Sequence, residues 1–208
     1  MNFQLKYSEV LQGLFKPGKL NLMMVFQVNC PGCFTHGFPQ MIQLHSAFQG
    51  KISCFALSTA FEDFDVNTIE NTECLLKENR LTGESSKAFD SNNLTWDKSI
   101  PFPVLFDKIV SKEEMLQPQF IDSILSNHPH FSGAPQAEQV EIKKALNEYF
   151  SHYQKCGHTF AANLLQGTPT FVLFNSALEI ELQWFGHMDN QIVETKLKEY
   201  LLHNLEHE

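Results

Sequence analysis

Arginine is almost absent, with Arg80 the single one in a chain of 208 residues. Net charge is −9, so phosphate-rich partners are repelled and the forked donor that grips phosphates or base edges is missing. That excludes nucleic-acid binding and adhesion to an anionic membrane surface. Cysteine is scarce and odd in number: Cys30, Cys33, Cys54, Cys74 and Cys156. Such a set does not make the stapled framework of a small secreted scaffold. Long hydrophobic runs are also missing; the strongest near the start, LNLMMVFQV, is too short to cross a bilayer. The opening MNFQLKYSEVLQGLFKPGKL has no basic start, apolar centre or small-residue cleavage site, so no secretory signal is expected and a cytoplasmic chain is. Charged residues make up only 19%, against 43% hydrophobic residues and 19 phenylalanines. The disordered class is thereby excluded, and one domain spanning 1–208, with room for an insertion, is expected.

What is there falls into ordered elements, with no internal repeat. Residues 20–28 form a continuous apolar run, as in a strand buried on both faces. A helix is expected over 31–49 despite Gly37 and Pro39, then a second buried strand over 51–59. The stretch 66–79 reads as a helix with Asp65 as its N-cap. SIPFPVLFD at 99–107 reads as a short strand whose prolines suit an edge or a connection. Residues 112–157 read as helical, with Ile142, Ala145, Leu146, Tyr149, Phe150 and Tyr153 on one face. TPTFVLFN at 168–175 is a buried strand. After it, Leu178, Ile180, Leu182 and Trp184 alternate with Glu179, Glu181 and Gln183, so the two runs form an antiparallel hairpin. Asp189 then caps a last helix with Val193, Leu197, Tyr200 and Leu201 on one face.

Strand, helix, strand, helix, helical insert, strand, strand, helix, with Cys30-Pro31-Gly32-Cys33 directly after the first strand, resembles the thioredoxin superfamily. The resemblance covers about 18–107 and 158–204. It implies an α/β class and a thioredoxin-like fold, a mixed central sheet flanked by helices, with an extra helical insertion at about 108–157. The insertion is expected either to supply specificity over the active site or to act as a structural cap.

The chemistry of the pair follows from its place. At a helix start, free backbone N–H groups and the positive dipole end favour an anion, lowering a thiol from ~8.5 toward ~7. Cys30 is therefore the expected nucleophile, and Cys33, one turn in, the thiol that resolves the mixed disulfide. Pro31 suits the first helical position. A metal half-site is the competing use of the motif, but a tetrahedral site wants four ligands and no second C-x-x-C or H-x-x-H occurs. No metal and no cofactor is expected. The expected partners are protein thiols or disulfides and an upstream reductase, and the oligomeric state stays open.

Thr168-Pro169 resembles the cis-proline signature of thioredoxin-like proteins, which implies that Thr168 and Pro169 bind the partner segment; an ordinary trans proline at a strand start is the alternative. Other features of that family are replaced. Asn29 stands where thioredoxin has tryptophan, and Met24 where it has a buried acid. For proton transfer His36 and Glu62 are the candidates, with Asp63 and Asp65 behind them. PGCFTHGFPQ also resembles the peroxiredoxin segment, which would make Cys33 a peroxidatic cysteine. That family has a threonine three before this cysteine and a proline seven before; here these are Cys30 and Phe26, and the lone Arg80 lies in another stretch. The larger redoxin branch, joining alkyl-hydroperoxide-reductase relatives to thiol reductases, fits VLFD at 104–107 and GTPTFVLFNSALEIELQWFG best. The expected function is thus thiol-disulfide exchange through Cys30 and Cys33. A thiol peroxidase is the first alternative, and a redox-regulated binding or assembly factor on the same fold the second. Cys54 is expected in the core and Cys74 unreactive, with Cys156 a candidate third redox thiol.

Overall fold

The computed structural model describes residues 1–205 except 129 and 132. In chain order the elements are β1 (Tyr7–Gln12), β2 (Leu20–Phe26), α1 (Phe38–Ala47), β3 (Ser53–Ser58), α2 (Ile69–Glu78), α3 (Gly83–Ser91), β4 (Val104–Asp107) and β5 (Ile109–Ser111). They continue with α4 (Lys112–Met115), α5 (Pro118–Asn127), α6 (Gln136–Ser151), β6 (Lys155–Gly157), α7 (His158–Ala162), β7 (Thr170–Asn175), β8 (Ile180–Phe185) and α8 (Asn190–Leu205). A six-stranded sheet has the order β1-β4-β3-β2-β7-β8. Its centre, β4-β3-β2, is parallel. β1, β7 and β8 are antiparallel to their neighbours.

Alternation along the central strands divides the interior in two. Leu22, Met24 and Phe26 of β2, Cys54 and Ala56 of β3, and Phe171 and Leu173 of β7 face one core. That core is closed by Phe38 and Leu44 of α1, Leu75 of α2, Phe89 of α3 and Val193 and Leu197 of α8. Met23 and Val25, Phe55 and Leu57, and Val172 and Phe174 face the other. Met115, Ile124, Leu125, Phe150 and Phe160, from α4 to α7, cover it. Each such side chain, fully buried, contributes about 2 kcal/mol. Two faces of one sheet thus hold most of the apolar material, as continuous apolar strands require.

Several expected boundaries move. The region read as a helix over 112–157 holds α4, α5 and α6, framed by the two-stranded sheet β5-β6; positions 129 and 132 within it lie outside the described residues. β4 is no edge strand, since it pairs with β1 on one side and β3 on the other. Its prolines, Pro101 and Pro103, precede the strand and leave its ladder free. The edge on that side is β1, which the sequence hid because YSEVLQ is mostly exposed and does not alternate cleanly. Thr68, not Asp65, caps α2: its side chain accepts from Asn71 N at 3.2 Å. The turn before it, with Asp63 at φ 46°, delays the helix by one more bend. Asp189 does cap α8, its Oδ1 accepting from Gln191 N at 2.8 Å. No helix among the described residues is long and apolar enough to cross a membrane.

Candidate active site

Antiparallel pairing of β2 with β7 brings the end of one against the start of the other. Val25 pairs with Thr170, so continuing the register by two places sets Gln27 opposite Thr168. The C-x-x-C that follows β2 therefore meets the Thr168-Pro169 segment, 138 positions later than Cys30. The Thr168–Pro169 peptide is cis. The Cys30 thiol donates to the Thr168 carbonyl at 3.3 Å, and Cys33 N donates to the Cys30 Sγ at 3.3 Å.

Helix geometry is irregular here for a local reason. Residues 33–37 form a π-helical turn, in which Phe38 N reaches back to the Cys33 carbonyl. Pro39 follows immediately and has no N–H to continue a regular ladder, so the wider turn absorbs the mismatch. Gly37 lies inside that turn against the cis-proline: a Cβ there would stand 3.1 Å from Pro169 Cβ and collide with Met24. Glycine at this position is what lets the active-site helix approach Pro169.

The two sulfurs differ sharply. Cys30 is half-buried, and its thiol is lowered to about 7. The Cys33 thiol donating to it is the largest cause; the Thr168 hydroxyl and the N–H groups of Cys33 and Gly32 add to it, against the penalty of burial. Cys33 is fully buried, and that burial, then the Cys30 sulfur beside it, pushes its thiol well up. One sulfur is thus accessible and ready as thiolate near neutral pH, and the other waits protonated behind it.

Asn29, in place of tryptophan, ties down the approach to Cys30. Its backbone N–H donates to Asn67 Oδ1 at 3.0 Å, its Nδ2 to Asp63 Oδ2 at 2.7 Å, and its Oδ1 accepts from Glu84 N at 2.6 Å. Ser85 Oγ adds a bond of 2.7 Å to the Val28 carbonyl. No local pattern points to this clamp, because its members are scattered over positions 28–85. Gln27 was also missed: it is buried, and its Oε1 accepts from the Thr168 hydroxyl at 3.4 Å.

The proton-transfer candidates do not reach the sulfurs. His36 is exposed, its ring 5.2 Å from that of His187. Glu62, Asp63 and Asp65 are exposed on the turn after β3, where the Glu62 carbonyl accepts from Asn67 Nδ2 at 3.0 Å. Among the described residues, none of these side chains hydrogen-bonds Cys30 or Cys33. Cys156, the candidate third redox thiol, lies apart from the pair: it is buried in the core on the other face of the sheet from Cys33. Burial and the nearby Asp107 carboxylate push its thiol to about 12. Cys54 sits in the core, raised to about 12 by burial. Cys74 accepts from Arg80 Nη2 at 2.9 Å, so the lone guanidinium serves a thiol far along the chain from the pair. Cavities of about 530 Å³, walled by Ile142, Leu146 and Phe160, and about 900 Å³, walled by Leu20, Phe48 and Leu201, include neither cysteine of the pair. Among the described residues no group of three potential metal ligands converges.

No protein-family model and no curated protein matches the chain. Among solved structures, a thiol-disulfide isomerase from Corynebacterium glutamicum superposes with a TM-score of 0.59 at 22% identity, covering 97% of this chain and 96% of its own. A thioredoxin-like superfamily protein superposes with a TM-score of 0.54 at 20% identity, again covering 97% and 96%. At such identities the shared property is the fold. The chain therefore has a thioredoxin-like fold, and the likeness runs through the insertion as well as the sheet.

Proposed function

We propose that the protein is a thiol-disulfide oxidoreductase acting on partner proteins through Cys30 and Cys33. The carrying observation is the asymmetry of two sulfurs at one helix tip, Cys30 half-exposed and Cys33 sealed behind it. The Cys30 thiolate attacks one sulfur of a partner disulfide and expels the other as a thiolate. Cys33 then attacks Cys30, the mixed disulfide breaks, and the partner leaves as a dithiol while Cys30–Cys33 closes, its first-expelled thiolate having taken a proton from water. Two electrons pass to the partner, and the Cys33 proton goes to the departing thiolate. An upstream reductase reopens the pair; the steps run backwards when the partner is the more reducing. The Thr168 and Pro169 backbone beside Cys30 offers an extended partner segment a pairing edge. The isomerase named among the similar structures supports the same class of reaction.

Peroxide reduction at Cys33 has less support, since that thiol is buried and held protonated, and Arg80 is bonded to Glu78 and Cys74. A redox-regulated binding factor would show neither exchange nor peroxide turnover. Three thiols outside the pair, none in a disulfide, suit a reducing compartment such as the cytoplasm; recovery of the protein outside the cytoplasmic fraction would overturn that placement.

The test is trapping. Cys33→Ser should accumulate mixed disulfides through Cys30, with insulin or a model disulfide as partner. Adducts formed instead through Cys33 in Cys30→Ser would reverse the roles and sink the reading. A redox titration then gives the direction: a midpoint near roughly −270 mV marks a reductant, one near −120 mV an oxidant.

A further inference from the structure

The second chemical step needs Cys33 as a thiolate, yet Cys33 is buried and no carboxylate acts on it. Among the described residues the one titratable group that does is Cys30. Met24, at the place where the resemblance sets a buried acid, is itself fully buried. What lies beside the sulfurs is a neutral chain. Thr168 stands beside them: its carbonyl accepts from the Cys30 thiol at 3.3 Å, and its side chain favours the charged form of each sulfur. Behind Thr168, Gln27 accepts from that hydroxyl through Oε1, at 3.4 Å. Gln27 is 3% exposed, and among the described residues its Nε2 has no hydrogen-bond partner. A buried amide with an idle donor is costly and calls for a reason.

We infer that Gln27 is a positioning residue for the resolving step, switching the Thr168 hydroxyl between itself and the Cys33 sulfur. With Cys33 protonated, Thr168 donates to Gln27 Oε1. Turning the amide over brings Nε2 to the Thr168 oxygen, and the hydroxyl proton swings to the Cys33 thiolate. The idle Nε2 is the donor that this second arrangement uses. No proton is exchanged between Gln27 and Thr168; the pair supplies a hydrogen bond to a buried anion as it forms. The register explains why these residues meet, since Gln27 and Thr168 are opposite each other where β2 and β7 run out. The inference rests on the proposed exchange activity.

Ellman's disulfide separates the steps. Cys30 attack releases one nitrothiobenzoate in a concentration-dependent phase, and Cys33 attack releases the second in a unimolecular phase. Gln27→Leu is expected to slow the second phase roughly tenfold at pH 7, about the loss of one hydrogen bond to a charged group. Its half-maximal pH should move up by about one unit, while the first phase stays within about twofold. Thr168→Val should slow the second phase at least as much as Gln27→Leu does, and adding Gln27→Leu to it should slow the second no further. Equal slowing of both phases by Gln27→Leu, or additive effects in the double variant, would overturn the inference. If Gln27→Leu does not fold, Gln27→Met carries the same expectation; failure of both to fold would make Gln27 structural and end the argument. A wild-type protein without a second release defeats the exchange activity itself, whereas a normal second release unchanged in the variants defeats only Gln27.

Discussion

Burial alone would raise the Cys30 thiol; the hydrogen bonds from Cys33, Thr168 and two backbone N–H groups outweigh it and hold it at about 7. As pH rises through that value the thiolate fraction goes from minor to dominant, so reaction with iodoacetamide should follow a single titration with a midpoint near 7. Cys33→Ala removes the largest of those donors. Its midpoint should move up toward the ~8.5 of a free thiol, and alkylation at pH 7 should slow by roughly tenfold; an unmoved midpoint would mean that the helix tip and Thr168 suffice. The C-x-x-C was legible because its chemistry depends on near neighbours in the chain. His36 and Glu62 misled because nearness in sequence is not nearness in space: His36 lies beside His187 on the surface, and Glu62 on an exposed turn. Gln27 carries no signal of its own, and only its opposition to Thr168 gives it a role.

Elements that answer to hydrophobic pattern alone were readable, and those set by pairing were not. β2, β3, β7 and β8 announce themselves as apolar or alternating runs, whereas β1 is an exposed edge recognisable only from its partner β4. α7, directly after the insertion, is fastened to the sheet by a buried carboxylate: Asp107, at the end of β4, accepts from Thr59 Oγ1 at 2.7 Å and from the N–H groups of Thr159 and Phe160 at 2.9 and 3.2 Å. Burial raises its pKa from 3.8 to about 6, against those bonds. The folded protein thus holds this proton more tightly than the unfolded chain. Its stabilising contribution is complete below about pH 4 and is lost as pH rises to about 6, a change on the order of 3 kcal/mol. Asp107→Asn should be less stable overall but lack that slope, as urea midpoints at pH 4.5 and 6.5 would register. A wild-type slope preserved in the variant would assign it to other groups.

For the whole molecule, charge and layering matter most. A net charge of −9 on 208 residues favours encounter with basic partners and disfavours acidic ones. Reduction of a lysine-flanked model disulfide should therefore outpace that of a glutamate-flanked one at low ionic strength, by an order of magnitude or so. The gap should close as salt screens the field, and a gap indifferent to salt would point to contacts rather than charge. By itself the sequence determined the class of fold, the position of the C-x-x-C and the excess of negative charge. These follow from local periodicity, a helix start and composition, which act over a few residues or over the chain as a sum. Only the tertiary structure decided that Thr168 meets Cys30, that Cys156 lies behind the sheet, that Asn29 clamps the approach to Cys30, and that Gln27 stands behind Thr168. Each of those depends on strand order and register, which are fixed by the joint burial of both sheet faces and not by any segment alone.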